Sequence, residues 1–405
     1  MITRVYVASL LLVGAISATT PSDAHAQDRP GVARPISAFG LDVFRHVASA
    51  ESGPNVVFSP LSAGLAIALL AEGSEEETRA ELHTALGTTL ERSQEYRTGI
   101  RTLLTDLNAD TTTLTRIASS LWADEGRRLS RAFVERAQTS HLASVESVDL
   151  QADATVKRVN DWAREKTNGR ITSVMPQPRP DLALILLNAV YFKGKWALPF
   201  DSTKTKLAPF LRRAGDTIQV QTMVRGGDFG HFEHNGERGL RIPYRGGRYA
   251  AYVVVPKSVS VQSVVAQLTV SHVDGWSTSA RARSTILYLP RIEHRGSSPL
   301  LEALAKAGVP RVVSKHAQLG AIWEELQEGP TNVSEASQAT FLKIDEDGTE
   351  AAAVTSMGFV VTSAPPPPVD FRVDAPFVFV IRDEVTGALM FVARLGDPLN
   401  RGAAS

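Results

Sequence analysis

Four stretches of this 405-residue chain carry side chains whose types and spacing could do chemistry. The first is PLSAG, Pro60 to Gly64, set between a strand-like and a helix-like run, as a hydrolase nucleophile elbow would be. That motif needs glycine two residues before the serine, because the turn there is too crowded for a side chain. Pro60 occupies the position, so Ser62 is read instead as satisfying backbone groups at a buried helix start. The second is HFEH, with His231, Glu233 and His234. It lacks a third ligand at a recognisable spacing, and flanking glycines favour a surface turn over a zinc site. The third, the acidic run in GSEEET, suits the charged first turn of a helix better than a catalytic dyad. No cysteine is present, which removes thiolate nucleophiles, Cys-based zinc sites and disulfide staples together. The P-loop, HExxH and SxxK signatures are absent as well. No enzyme constellation, metal site or cofactor is therefore expected.

The fourth stretch has the composition of something acted upon. GTEAAAVTSMGFVVTSAPPPP, Gly348 to Pro368, separates two strand-like runs, ATFLKID and APFVFVI, that a handful of residues could join. Read with period two, one face carries Thr349, Ala351, Ala353 and Thr355, and the other Glu350, Ala352, Val354 and Ser356. The first face has neither charge nor bulk. Such a strand could slide between two others without burying a charge or displacing the core. Gly348 supplies freedom in φ at the entry, and Pro365 to Pro368 stiffen the exit. Composition alone also allows an alanine-favoured helix or an exposed loop.

The elements around these stretches fall into helices early and strands late. Ile36, Phe39, Val43, Phe44 and Val47 form one helical stripe. After NVVFSP, the run SAGLAIALLAEG is apolar nearly all round, as in a helix inside the fold. SEEETRAELHTALG opens with Ser74 and Glu77 at capping-box spacing and closes on Gly87. TVKRVNDWAREKTNG reads as another helix, ended by Asn168 and Gly169. DLALILLNAVYF is a continuous apolar run, as expected for a central strand, and YAAYVVVP, STILYLP and ALMFVARL are further strands. Thr386 and Gly387 supply a turn before the last of them. This order suggests an α+β architecture in one domain.

With 43 basic and 43 acidic side chains the chain is neutral, which argues against a nucleic-acid partner or an anionic membrane surface. The start, a basic MITR, an apolar VYVASLLLVGAISA and then AHAQ, reads as a secretory signal peptide over residues 1–26, cut after Ala26. Residues 27–405 would then be the mature, secreted or periplasmic domain.

Several ordered motifs resemble those of the serpins, across essentially the whole mature length. DEDGTEAAAVTS is similar to the family's hinge, and NVVFSPLSAGLAIALLAEGSEEET to its second helix and shutter, with Asn55, Ser59, Pro60 and Ser62 in place. VNDWAREKTNGRI resembles the sixth-helix region through Asn160, Thr167 and Gly169. NAVYFKGKWALPFD is similar to the family's strand and breach signature, with Asn188, Gly194, Trp196 and Phe200. Thr205, Phe210, Leu289, Pro290, Pro376, Phe377 and Pro398 follow at matching spacing.

The resemblance implies an α+β fold in which several helices from the N-terminal half pack on three β-sheets, with an exposed reactive-centre loop over about residues 346–368. It implies a monomeric suicide-substrate inhibitor of serine proteases rather than an enzyme. The protease attacks the loop and forms an acyl-enzyme, and the freed arm inserts as a new strand of the main sheet before hydrolysis finishes. Such insertion is a well-known instance of strand addition and of strain released on cleavage. The hinge would comprise Glu346, Gly348, Thr349, Glu350, Ala351, Ala352 and Ala353. Counting seventeen residues from Glu346 puts the reactive bond at Thr362–Ser363, preceded by Phe359, Val360 and Val361 as specificity contacts. Bonds after Met357 or Val361 are alternatives. A small β-branched residue there suits an elastase-like or subtilisin-like serine protease as partner, with a cysteine protease as a second target class. Trypsin-like enzymes are disfavoured, since no Lys or Arg lies between Thr349 and Pro368. The alternative is a non-inhibitory serpin acting as a binding or chaperone-like protein. Gln338 stands where the family often has histidine, so its shutter hydrogen bonds must differ. Arg127 and Arg128 make only a weak pair, short of the basic cluster a polyanion cofactor needs.

Overall fold

In the computed structural model, the residues described are 31–349 and 367–402, apart from 181, 214–215, 235, 257–259 and 326–331. The expected signal peptide, Glu350 to Ala353, Phe359 to Val361 and the expected reactive bond Thr362–Ser363 lie outside them.

The helical stripe forms α1, Ala33–Ala50, and Ile36, Phe39, Val43, Phe44 and Val47 are all buried along it. Strand β1, Asn55–Phe58, leads into α2, Pro60–Glu72, in which every residue but the last is buried. Proline suits the first helical position, because its missing N–H would have no partner there. Helices α3, Glu76–Ala85, and α4, Ser93–Ala109, follow, then α5, Arg131–His141, and α6, Asp153–Lys166. Helices α7, Val261–Gln267, α8, Val270–Ser279, and α9, Leu301–Lys306, come later. Among the described residues no helix is long and apolar enough to cross a membrane.

The strands after β1 begin with β2, Thr113–Asp124, β3, Ser144–Val148, and β4, Leu184–Lys195. Next come β5, Lys206–Arg213, β6, Asp216–His234, β7, Glu237–Pro243, and β8, Tyr249–Pro256. Strands β9, Arg281–Pro290, β10, Ile292–Pro299, β11, Glu335–Ile344, and the two-residue β12, Gly348–Thr349, follow. The last three are β13, Val369–Arg372, β14, Phe377–Asp383, and β15, Leu389–Leu395. One sheet runs β10-β11-β4-β2-β3, with β12 added on β4. The other runs β1-β15-β14-β8-β7-β6-β9-β13, with β5 on β6.

The three sheets implied by the resemblance thus appear as two hydrogen-bonded sheets. The reason is β6, whose 19 residues pair β5 over residues 216–222, β9 over residues 222–231 and β7 over residues 230–234, so one strand joins the two smaller sheets. Helix α2 lies between the sheets, against β2 and β4 on one side and β15 on the other. That explains why it is apolar all round: no face of it meets water.

Two local readings are corrected. Ser74 does not cap α3: the N-cap position is Glu75, whose side chain makes no capping bond, and Thr78 N donates to Gln318 Oε1 at 3.2 Å. The fully buried Ser74 hydroxyl donates instead to Ala71 O, 2.8 Å, at the end of α2. HFEH is not a turn: His231 to His234 close β6, paired with Glu237 to Leu240 of β7. His231 reaches the Thr285 hydroxyl at 2.6 Å, and the ring of His234 meets that of His272 at 6.0 Å.

Candidate functional site

Strands β4 and β11 run parallel, and their pairing extends from Ile185–Glu335 to Val190–Thr340. Beyond that point they part. Into the opening comes β12, antiparallel to β4, with Gly348 opposite Lys195 and Thr349 opposite Gly194. Asp345 N donates to Gly348 O at 2.9 Å, so the chain has already reversed direction and started back between its neighbours.

The reversal is held by residues flanking the end of β4. Trp196 Nε1 donates to Asp345 O at 3.0 Å, and its backbone N to Asp347 O at 2.9 Å. Phe200 N donates to Glu346 O at 2.7 Å. The Glu346 carboxylate sits in a fork of Arg291, whose Nε lies 2.8 and 3.0 Å from its two oxygens, and also accepts from the Thr205 hydroxyl. Burial would raise this carboxyl, but Arg291 and Thr205 outweigh it and hold the group below its usual range. Gly348 is required by proximity: a Cβ there would lie 2.0 Å from Gly194 O.

Thr349 is 1% exposed and faces the core beneath the sheet. Its hydroxyl shares a 2.7 Å hydrogen bond with Tyr244, which stacks on Trp196 with ring centroids 4.5 Å apart. Burial pushes the Tyr244 hydroxyl far above its ordinary range, only partly offset by Thr349, so it stays neutral. An uncharged residue thus stands at the head of β12, buried beneath the sheet.

Lower on the same seam the strands are closed by side chains. Asn188 and Gln338 are register partners across β4 and β11, 2% and 0% exposed. Gln338 Nε2 donates to Asn188 Oδ1 and to Ser59 O, both at 3.1 Å, while Ser59 N donates to Gln338 Oε1 at 2.7 Å. One primary amide thus satisfies both backbone groups of the residue before α2. Asn188 Nδ2 reaches Ser119 Oγ of β2 at 3.1 Å, and Ser62 Oγ donates to Asn188 Oδ1. The expectation that Ser62 satisfies backbone groups is corrected: Ser59 is the cap of α2, accepting from Ser62 N, and the Ser62 hydroxyl belongs to the seam.

Asn55 stands apart from this cluster. Its Nδ2 donates to Asp397 O and Asn400 O at 2.8 and 2.9 Å, and its Oδ1 accepts from Gly396 N and Asp397 N. It clamps the C-terminal segment. Tyr244, Arg291 and Ser119 were not legible as site residues, since each acts on a partner far along the chain and has no local pattern around it.

A sheet that holds the first residues of a returning strand between parallel neighbours, over a buried helix, defines a recognised class. A family model described as Serpin (serine protease inhibitor) matches residues 34–398, and the chain belongs to that family. It is 29% identical over 408 residues to an alpha-1-antiproteinase of Rattus norvegicus, covering 96% of this chain and 98% of the relative. To the leukocyte elastase inhibitor of Sus scrofa it is 28% identical over 374 residues, covering 89% and 97%. Human thyroxine-binding globulin shares the fold, with TM-score 0.81, 23% identity and coverage of 91% and 99%.

Proposed function

We propose that the chain is a suicide-substrate inhibitor of serine proteases that traps its target by inserting the cleaved loop beside β4. The observation that carries this reading is β12, a strand already begun between β4 and β11 with an uncharged buried residue at its head. Two independent counts continue it in one register. From Thr349 opposite Gly194, Thr355 falls opposite Asn188. From the Asp345–Gly348 bond, the same Thr355 falls opposite Gln338. Asn188 and Gln338 are themselves paired, so the incoming hydroxyl is delivered to the amides it separates. Glu350 would fall between Lys193 of β4 and Lys343 of β11, on the face away from Thr349.

The driving force is backbone pairing. A dozen inserted residues gain roughly a dozen hydrogen bonds at about 1 kcal/mol net each. That compares with the about 5–15 kcal/mol that keeps a trapped protease folded. The names of the antiproteinase and elastase-inhibitor relatives support the inhibitory reading over a binding role. Thr362–Ser363 is the bond we assign, with an elastase-like or subtilisin-like target, and residues 1–26 serve as the export signal.

The test is incubation with a pancreatic-elastase-like protease. A denaturant-resistant adduct is expected, with release of the C-terminal peptide beginning at Ser363. Cleavage with complete turnover and no adduct would count for the non-inhibitory reading.

A further inference from the structure

Away from the seam, two helices bring arginines onto a single carboxylate, and a third helix adds another arginine beside them. Glu72, the last residue of α2, accepts from Arg97 of α4 at 3.0 Å and from Arg136 of α5 at 3.2 Å. His141 Nε2 lies 3.3 Å from the same carboxylate. Burial would raise the Glu72 carboxyl, but His141 and Arg97 hold it down to about 2, so it is ionised. Arg79 of α3 lines the same space, giving its Nε to Ser74 O at 2.6 Å and meeting no carboxylate among the described residues. His83 lies beside it, buried, with Nδ1 3.2 Å from Thr89 O.

Glu72, Arg79, His83, Arg97 and Arg136 line a cavity of about 330 Å³ together with Ala68, Ala71 and Leu86. Three half-buried guanidiniums against one carboxylate leave its wall with a surplus of two positive charges. Desolvated cations without counter-charge are unfavourable, and planar guanidiniums match tetrahedral oxyanions in paired hydrogen bonds. The volume sits at the small end of the roughly 300–1,000 Å³ of small-molecule pockets, room for one headgroup and a short stem.

We propose that this cavity binds a phosphate dianion, free or as the headgroup of a small phosphate monoester. The dianion matches the surplus charge, and Arg79, Arg97 and Arg136 supply donors from three helices. A ligand there ties α3, α4 and α5 around the end of α2.

The test is thermal melting of the full mature chain, titrated with orthophosphate or glycerol phosphate against chloride at constant ionic strength. A saturable rise in Tm is expected, since a ligand bound only by the folded state stabilises it by mass action. Tighter binding of the monoester assigns an organic ligand, and equal binding assigns orthophosphate. Arg79→Ala, which leaves the Glu72 contacts intact, should raise the apparent Kd at least tenfold with little change of Tm in chloride. Should that variant melt early in chloride, Arg79→Gln, which keeps a donor for Ser74 O, is read in its place with the same expected loss. No saturable rise in either arm, or the same Kd in the Arg79 variant, overturns the site. A linear rise shared equally with sulfate overturns it too, because that is the general salting-out effect.

Discussion

The two ends of the β4–β11 seam solve opposite problems. At the top, around Trp196 and Tyr244, the strands have parted and a two-residue strand fills the gap, with Thr349 bonded to Tyr244 and the turn before it tied down by Trp196, Phe200 and Arg291. In the middle, around Asn188 and Gln338, six register pairs and a buried amide network hold the strands shut. Under the proposed insertion, the top would nucleate the strand and the middle would be the barrier to completing it. A loop that slid in unaided would have to separate Asn188 from Gln338 before gaining most of its own pairing. On the proposed function, the intact chain would be held by kinetics rather than by depth of its minimum.

Nicking the loop with an unrelated protease breaks this comparison most severely. If the middle opens and fills, the cleaved form should melt on the order of 20 °C above the intact one, for a gain near 10 kcal/mol. Equal melting temperatures by calorimetry would refute insertion. Thr349→Arg comes next, because it places a cation beside Tyr244 and costs several kcal/mol on burial. Gel assay should show the loop cleaved and the protease released, with loss of the stable adduct.

Smaller changes separate the two regions. Gln338→Ala leaves Ser59 N without its partner and Ser59 O with Ala63 N alone, so the intact form should lose about 2 kcal/mol in denaturant unfolding. Thr355→Val should leave intact stability unchanged yet destabilise the nicked form by about 1–2 kcal/mol, since only there does the hydroxyl meet the separated amides. An equal loss in both forms would show that the counted register is wrong. The smallest effect concerns Glu346, whose carboxyl is held by Arg291 and Thr205 below its ordinary value of 4.5. A depressed acid stabilises above its unfolded pKa, and that contribution disappears as pH falls from 4.5 through the folded value. Glu346→Gln should therefore lose about 1 kcal/mol at pH 7 and show a flatter acid limb in a pH series of melts.

Much of the fold was readable locally. The α1 stripe and the apolar run of β4 needed only periodicity, and Asn168, with φ 51°, and Gly169, with φ 75°, end α6 as expected. The errors share a cause. Ser74 had the spacing of a capping box, but a carbonyl of the preceding helix reached its hydroxyl first. HFEH had turn-like neighbours, but β7 offered it a strand to pair with. In both, a tertiary neighbour outcompeted a local preference.

By itself the sequence determined the strongly patterned elements such as α1, α2, α6 and β4, which loop is long and free of charge on one face, and which family the motifs resemble. Those properties depend on neighbours a few positions apart, so they survive without a folded context. Only the tertiary structure decided that Gln338 serves Ser59 and Asn188, that Tyr244 receives Thr349, and that Arg79, Arg97 and Arg136 share one cavity. Each of those relations joins elements brought together by packing, and burial from water is what turns such proximity into strength.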